Sequence, residues 1–180
     1  FIMAYICYQK FPLNRLLRLI IILPMLLIPA AASVLWKFMY NYDVGFINNL
    51  LSLFGIPGPT WIASKELALL SVTITDTWAW TPFMFLMLLS GLEGLSKDPL
   101  EAAFIDGASA WQRIRYVILP MLTPVLVVAV SMKTINVFRS FDYVWIMTQG
   151  GPGGSSDILS TYVFKQAFSS LRYGYASSLS

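Results

Sequence analysis

The sequence predicts an all-α fold, a polytopic bundle of transmembrane helices with a structured loop on the cytoplasmic side. Apolar residues make up 57% of the chain and charged residues only 12%, which is far from the usage of soluble proteins. Three apolar runs reach, or nearly reach, the roughly 20 helical residues that cross a hydrocarbon core of about 30 Å. Both ends of the chain fall inside apolar helical patterns. We therefore expect residues 1–180 to be one transmembrane domain that is truncated at both ends.

The elements follow from these runs in chain order. Residues 1–8 are typical of the tail of an earlier span, and the three complete spans are predicted at Leu16–Trp36, Leu67–Leu92 and Tyr116–Val137. The segment after the first span, Asn41–Ser64, contains an amphipathic piece at Phe46–Phe54 and the turn-rich Gly55–Pro59. This segment either lies along the membrane surface or forms an ordinary structured loop.

The last third of the chain begins with an irregular loop. Residues 148–157, TQGGPGGSSD, contain four glycines and a proline and cannot form a regular element. Residues 158–171 are too short and too polar for a full span, and residues 173–180 are expected to begin a later one.

Basic residues set the predicted orientation. The segments 9–18 and 93–115 contain six of them, and the opposite segments contain four, so the positive-inside rule favours a cytoplasmic position for 9–18 and 93–115. The six are Lys10, Arg15, Arg18, Lys97, Arg113 and Arg115, and the four are Lys37, Lys65, Lys165 and Arg172.

The cytoplasmic segment 93–115 is predicted to be a helix, a glycine turn and a second helix. Asp98 is placed to cap the first helix, Pro99 fits its first turn, and Glu101 completes a capping box. Gly107 supplies the left-handed residue that ends the helix after about Asp106. Ser109, with Gln112 three residues later, caps the second helix, which enters the bilayer and meets Pro120.

A helix of about two turns is unstable alone in water, so the first helix needs a surface to hold it. Leu100, Ala103 and Phe104 share one face and are expected to anchor it to the protein, which leaves Glu101, Ala102 and Ile105 outward. On these grounds the helix is either a simple cap over the bundle or a docking element for a partner.

The same segment resembles a known family. EAA at 101–103, three residues, Gly107, nine residues and then Val117-x-Leu119-Pro120 match the EAA loop of binding-protein-dependent ABC importer permeases, which have a MetI-like transmembrane domain. We call residues 93–115 the EAA loop. In this family the short helix, the coupling helix, docks in a cleft of a separate ATPase subunit. The resemblance therefore implies coupling residues at Glu101, Ala102, Ala103, Ile105, Asp106 and Gly107.

The resemblance extends over most of the chain. Residues 45–56, 78–92 and 147–168 look like the carbohydrate-type branch, which includes maltose, glycerol-3-phosphate and oligosaccharide permeases, and the GGP sequence is typical of the first-named permease of the heterodimer. This implies an inner-membrane transport subunit with four kinds of partner: an ATPase dimer, a second permease, an extracytoplasmic solute-binding protein and the bilayer. No nucleic-acid partner is expected. Residues 150–154 lack the GK[ST] ending of a P-loop, so ATP and magnesium belong to a partner chain and no cofactor is expected here.

Two polar stripes lie within the second and third spans. Thr73, Asp76, Trp80 and Phe83 fall on one face of a helix, as do Lys133, Asn136 and Ser140. Charged groups inside a bilayer are costly, so we expect both stripes to face a cavity or a partner and to form part of a solute site. The resemblance places solute contacts at Asp76, Ala79, Trp80, Phe83, Asn136, Val137 and Ser140. The alternatives are helix-to-helix contacts and interfacial aromatic residues, and Lys133, Arg139 and Asp142 either pair or line the pathway.

Other functions fit less well. A secondary transporter using Asp76 and Lys133 would show two related halves with broken helices and no docking loop. An intramembrane enzyme would need a convergent catalytic set, but the chain has no histidine and one cysteine, and its carboxylates are scattered. A permease for a non-sugar solute, such as a polyamine or phosphate, remains the alternative within the same class.

Overall fold

The computed structural model describes residues 1–9 and 12–179, so Lys10 of the charge count and Ser180 of the last predicted span lie outside the described residues. The described part of the chain is helical, with short 3₁₀ and π segments between some of the α-helices. The α-helices are α1 Ile2–Tyr8, α2 Asn14–Ile22, α3 Pro29–Met39, α4 Phe46–Leu53, α5 Ala68–Glu93, α6 Asp98–Ile105, α7 Ala110–Arg113, α8 Leu119–Arg139, α9 Asp142–Met147, α10 Leu159–Phe164 and α11 Tyr173–Leu179.

Two of the three predicted spans are confirmed. The second is α5, a single helix of 26 residues, and the third is a continuous helix of 30 residues, Ala110–Arg139, which joins α7 to α8. At a rise of 1.5 Å per residue, both exceed the thickness of a hydrocarbon core of about 30 Å.

The first predicted span is wrong as an uninterrupted helix. α2 ends at Ile22, a 3₁₀ segment follows at Leu23–Leu26, and after a sharp bend a new helix begins at Pro29. Ile28 has the extended backbone that a residue before proline prefers, with φ −66° and ψ 147°, which stops the preceding helix. Pro29 then occupies the first helical position, where its missing N–H costs no hydrogen bond.

A π segment, Ile114–Ile118, lies immediately before Pro120 in the third span. The N–H of Leu119 bonds to the carbonyl of Ile114, five residues earlier, instead of the usual four. A proline ring within a helix crowds the carbonyl four residues before it and donates no hydrogen bond. The wider turn next to it keeps the helix continuous from the EAA loop into the membrane.

The described residues form two compact units, the first made of 1–23 and 81–135 and the second of 24–80 and 136–180. The core of the first unit joins α1, the later part of α5 and the start of α8 through eight buried side chains. These are Ala4, Cys7, Phe85, Leu88, Leu89, Leu92, Ile118 and Leu122. At Gly91 a β-carbon would stand 2.9 Å from Leu122 Cδ1, so this glycine allows α5 and α8 to pack closely.

The core of the second unit joins α3, α9 and the first part of α5, and it is rich in aromatic rings. Trp36 packs edge-on against Trp78 with their centroids 5.5 Å apart, and Tyr40 lies against Trp61 at 5.6 Å. The indole N–H of Trp61 donates to Asn48 Oδ1 at 2.7 Å, which fixes α4 beside this core. The expected helix at Phe46–Phe54 is therefore confirmed as α4, while its position at a membrane surface stays a prediction.

Residues 148–157, which we call the glycine loop, are irregular as expected but extensively hydrogen-bonded. Gln149, Gly150, Gly153 and Gly154 have positive φ angles. The Asp157 carboxylate accepts hydrogen bonds from Thr161 Oγ1 at 2.7 Å and from Lys165 Nζ at 2.8 Å, and the fully buried Ser156 hydroxyl bonds to the carbonyl of Gly151. The loop is therefore a defined structure tied to α10.

Candidate functional site

The first helix of the EAA loop, α6, begins without the predicted side-chain cap. Asp98 is already the first helical residue, and the N-cap position is Lys97, whose backbone is near-helical with φ −78° and ψ −29°. A capping side chain needs an extended backbone at the cap to reach back to the free N–H groups, so the predicted capping box of Asp98 and Glu101 is wrong. Both carboxylates instead lie in the first turn, where their negative charges interact favourably with the positive end of the helix dipole.

The end of α6 is as predicted and better defined than expected. Gly107 has φ +75°, its N–H bonds to the carbonyl of Phe104 at 3.1 Å, and the N–H of Ala108 bonds to the carbonyl of Ala103 at 3.0 Å. These two bonds make a Schellman motif, in which a left-handed residue turns the chain away from the helix. Apart from its two neighbours in the chain, none of the described residues has an atom within 4 Å of a β-carbon built at Gly107.

The second helix of the EAA loop begins with the predicted capping box. Ser109 Oγ accepts the N–H of Gln112 at 3.3 Å, and Gln112 Oε1 accepts the N–H of Ser109 at 2.8 Å. The helix then runs without interruption to Arg139. The Gly107 turn is therefore joined directly to this long helix.

The faces of α6 agree with the prediction except at one residue. Leu100 and Ala103 are half-buried, and Glu101, Ala102, Ile105 and Asp106 are exposed, with Ile105 83% accessible. Phe104 was expected to anchor the helix, but it is 68% exposed. Its ring lies 5.3 Å from the guanidinium carbon of Arg113, a cation–π contact that holds it at the surface.

A groove of about 480 Å³ adjoins α6. It is lined by Tyr8, Lys97, Leu100, Glu101, Phe104, Ile105 and Arg113. Large apolar side chains are thus displayed next to both acidic and basic groups, which is typical of a surface that binds another protein.

The predicted solute residues occupy two long helices. Asp76, Ala79, Trp80 and Phe83 are half-buried on α5. Asn136 is half-buried and Val137 is exposed near the end of α8, and the half-buried Ser140 directly follows that helix. Asp76, Trp80, Phe83, Lys133 and Asn136 all take part in interactions within the fold. That the two stripes meet across a pathway stays a prediction, as does the role of Lys133, Arg139 and Asp142.

Tyr143, a residue that the sequence did not single out, lies in the buried core that Val72 and Ala79 of α5 also join. Tyr143 is 6% exposed in α9, and burial, followed by the negative charges of Asp76 and Asp142, raises the pKa of its hydroxyl. The phenol therefore remains protonated near Asp76. In the sequence, Tyr143 lies among aromatic residues, and the polar residues around it do not repeat at helical spacing. The sequence pattern therefore does not indicate a role for Tyr143.

Ser140 marks the point where α8 gives way to α9. Its carbonyl accepts a hydrogen bond from the hydroxyl of Ser160 at the start of α10, and the ring of the next residue, Phe141, lies 5.1 Å from that of Phe164. The rings of Phe141 and Trp145 stack on each other with centroids 5.4 Å apart.

These features define a multi-pass membrane protein built as a helix bundle, with a short surface helix between two spans. Residues 1–176 match the family model described as "Binding-protein-dependent transport system inner membrane component", and the chain belongs to this family. The family consists of transport components of the inner membrane, which agrees with the resemblance carried by the EAA loop.

Curated relatives include several sugar permeases. The chain is 37% identical over 177 residues to the trehalose/maltose transport system permease protein MalF of Thermococcus litoralis, covering 98% of this chain and 60% of the relative. It is 33% identical to the sulfoquinovosyl glycerol transport system permease protein SmoG of Agrobacterium fabrum, covering 98% and 58%. It is 36% identical to the trehalose transport system permease protein SugA of Mycobacterium tuberculosis, covering 99% and 56%. The chain thus spans about 60% of the length of the relatives it matches.

Among solved structures, a bacterial alginate ABC transporter in complex with an alginate pentasaccharide-bound periplasmic protein contains a chain of the same fold. The TM-score is 0.88 with 20% sequence identity, covering 99% of this chain and 63% of that one. The helix-bundle permease fold predicted from the sequence is thereby confirmed.

Proposed function

We propose that this chain is the main part of an ABC importer permease, forms half of a translocation pathway for a sugar or related polyol, and is driven through α6 by a separate ATPase. The observation that carries the proposal is α6 itself. It is eight residues long, too short to persist alone, and it displays exposed Phe104 and Ile105 beside charged groups. Such a helix is suited to a cleft in another protein.

The construction of the EAA loop supports a mechanical role. The Schellman turn at Gly107 and the capping box at Ser109 join α6 to a 30-residue membrane helix through defined hydrogen bonds. In this proposal a force applied to α6 is passed to α8, which carries Asn136 near its far end and is followed directly by Ser140. The chain itself carries out no chemistry in this proposal, and ATP and magnesium are bound by the partner.

The proposed solute class rests on the relatives and on the chemistry of the stripes. Relatives with named substrates transport trehalose, maltose or sulfoquinovosyl glycerol. Trp80 and Phe83 are aromatic residues on the same helix as Asp76, and the proposed site adds the amide of Asn136 and the hydroxyl of Tyr143. This combination suits a sugar, which has apolar C–H faces and a rim of hydroxyl groups.

The partners follow from the family and remain part of the proposal. They are an ATPase dimer on the cytoplasmic side, where 9–18 and 93–115 are placed, a second permease subunit, and an extracytoplasmic solute-binding protein. The solved alginate transporter is bound to a periplasmic protein, which supports the last of these.

A photocrosslinker at Ala102→Cys tests the docking. Ala102 is exposed on α6, and the native thiol, Cys7, is buried, so the engineered thiol reacts alone. In the assembled complex we expect a crosslink to an ATP-hydrolysing subunit, and none from Lys65→Cys, which precedes α5. Absence of the crosslink from Ala102→Cys would contradict the docking assignment.

Uptake by the reconstituted complex tests the solute class. The complex is reconstituted so that the ATPase faces the lumen of the proteoliposomes, which contains ATP. Labelled di- and oligosaccharides, polyols, a polyamine and phosphate are then added outside, each in a separate assay. We expect ATP-dependent accumulation of a sugar or polyol. Accumulation of the polyamine or phosphate instead would assign the chain to the non-sugar alternative.

A further inference from the structure

An ion pair at the base of the EAA loop joins three helices of the first unit. Arg18 on α2 donates from Nη2 to Glu93 Oε1 at 2.9 Å and also to the carbonyl oxygen of Cys7 at 3.2 Å. Glu93 is the last residue of α5, and Cys7 lies in the last turn of α1. The Nη2 atom of Arg18, which carries two hydrogens, thus connects α2 to the C-terminal end of α5 and to the C-terminal end of α1.

Each acceptor has a physical reason to need this cation. The carbonyls in the last turn of a helix have no partner within the helix, and a positive charge is favourable at that end. A carboxylate at the C-terminus of α5 is disfavoured by the same dipole unless a cation compensates it. The side chain of Asn14 also donates to the Cys7 carbonyl, so the contact belongs to a small network at the start of α2.

The end of α1 adjoins the EAA loop on its other side. Tyr8 lines the groove beside α6 together with Leu100 and Phe104. A second groove of about 220 Å³ is lined by Tyr5, Tyr8, Gln9, Leu100, Arg113 and Ile118. The segment that Arg18 ties to Glu93 is therefore the same segment that lines the grooves beside α6.

We propose that Arg18 is a positioning residue for energy coupling. It links the point where α5 enters the EAA loop to the end of α1 and the middle of α2, so that a displacement of α6 by the ATPase moves α1 and α2 as well as α5 and α8. This inference rests on the proposed coupling function and assigns a residue outside the EAA loop to it.

The pair is partly exposed, with 37% of the Arg18 side chain and 51% of the Glu93 side chain accessible. Exposed pairs shift an equilibrium by about fivefold at most. The expected effect is therefore a graded loss of coupling and not a loss of assembly. A neutral variant of either partner removes the charge attraction between Arg18 and Glu93, and Arg18→Met also removes the contact with the Cys7 carbonyl.

The test uses the complete importer in proteoliposomes and measures solute molecules transported per ATP hydrolysed. Arg18→Met and Glu93→Gln are each expected to lower this ratio about two- to fivefold, with basal ATP hydrolysis retained. The double variant is expected to lose no more than Arg18→Met alone, because Arg18→Met already removes the ion pair that Glu93→Gln weakens. Arg18→Lys, which keeps the charge and a donor, is expected to recover at least half of the ratio.

Arg15→Met is the matched control, because Arg15 is an exposed arginine on the same helix. A normal ratio in Arg18→Met, or a loss in the double variant equal to the product of the single losses, would overturn the inference. If Arg18→Met does not assemble, Glu93→Gln decides alone, and a normal ratio there overturns the inference. A wild-type complex that shows no solute-linked ATP hydrolysis would refute the proposed function instead.

Discussion

At the scale of single residues, Gly107 is under the strictest backbone requirement in the EAA loop. Its φ of +75° lies in the left-handed region, and a β-carbon there would meet no atom within 4 Å. A substitution at this position is therefore limited by backbone strain and not by space.

We expect Gly107→Val to destabilise the turn by about 1–2 kcal/mol and to lower solute transport per ATP hydrolysed. A β-branched residue is the least tolerant of a positive φ, whereas asparagine accepts one. Gly107→Asn is therefore the control and is expected to retain most of the coupling. Equal coupling in wild type and Gly107→Val would contradict the role of the turn.

Asp76 carries a second prediction at this scale. Its carboxylate lies close enough to Tyr143 to influence the pKa of the phenol, and it is half-buried in α5. Asp76→Leu is expected to raise the solute concentration for half-maximal uptake or to lower the uptake rate at least several-fold, because a hydrogen-bonding group is removed from the pathway. Thr77→Leu, an exposed neighbour on α5, serves as the control.

Assembly with the ATPase measured by co-purification should be unchanged in Asp76→Leu. Uptake kinetics equal to those of wild type would remove Asp76 from the solute site. A loss of both assembly and uptake would mean that Asp76 serves the fold.

The residue scale also shows where sequence reasoning succeeds and fails. Gly107 and Ser109 were predictable, because positive φ and capping depend on local chemistry. Phe104 was not, because its spacing matches an anchoring face but its ring is held at the surface by Arg113. Tyr143 approaches Asp76 only through the packing of α9 beside α5, and no local pattern encodes that.

At the scale of elements, the glycine loop is stabilised by contacts that involve side chains from α10. Gly150 is buried, and a β-carbon there would collide with the Asp157 carboxylate and the Lys165 ammonium group. Gly154 has a similar φ of +81°, but no atom lies within 4 Å of its β-carbon position. Comparing substitutions at Gly150 and Gly154 therefore distinguishes the effect of a steric collision from the effect of backbone strain.

We expect Gly150→Ala to lower the thermal midpoint of the purified complex clearly more than Gly154→Ala does. Both substitutions carry the strain of a positive φ, about 1 kcal/mol, but only the first displaces the ion pair of Asp157 and Lys165. Thermal unfolding in detergent measures the difference. Equal midpoints would mean that the ion pair adjusts without loss.

The prediction of an element succeeded where local sequence is sufficient to define it and failed where the element depends on tertiary contacts or on the backbone of one residue. α5 and the helix 110–139 follow from apolar length alone. The interruption at Leu26–Pro29 required weighing Pro29 above the hydropathy of its neighbours, and the N-terminus of α6 depends on the backbone at Lys97. Apolar composition is the same for a straight and a bent segment, so hydropathy does not distinguish them.

At the scale of the whole molecule, the proposed orientation makes a direct prediction. Lys65 and Lys97 are exposed residues on either side of α5, a helix long enough to cross the bilayer once. We expect Lys97→Cys to react with a membrane-impermeant maleimide only from the cytoplasmic side, and Lys65→Cys only from the opposite side.

Right-side-out and inside-out vesicles, labelled in parallel, measure this. Cys7 is 1% exposed and provides a silent background. Labelling of both variants from the same side would show that α5 does not cross the membrane.

The positive φ of Gly107 has a consequence for how the turn can be altered. Its value of +75° is unfavourable for an L-residue and favourable for a D-residue. A D-alanine, introduced by chemical synthesis and ligation of the segment, should occupy that conformation at its own energy minimum and restrict the unfolded chain. The transporter would then gain rigidity at this joint, where any L-alanine would lose it.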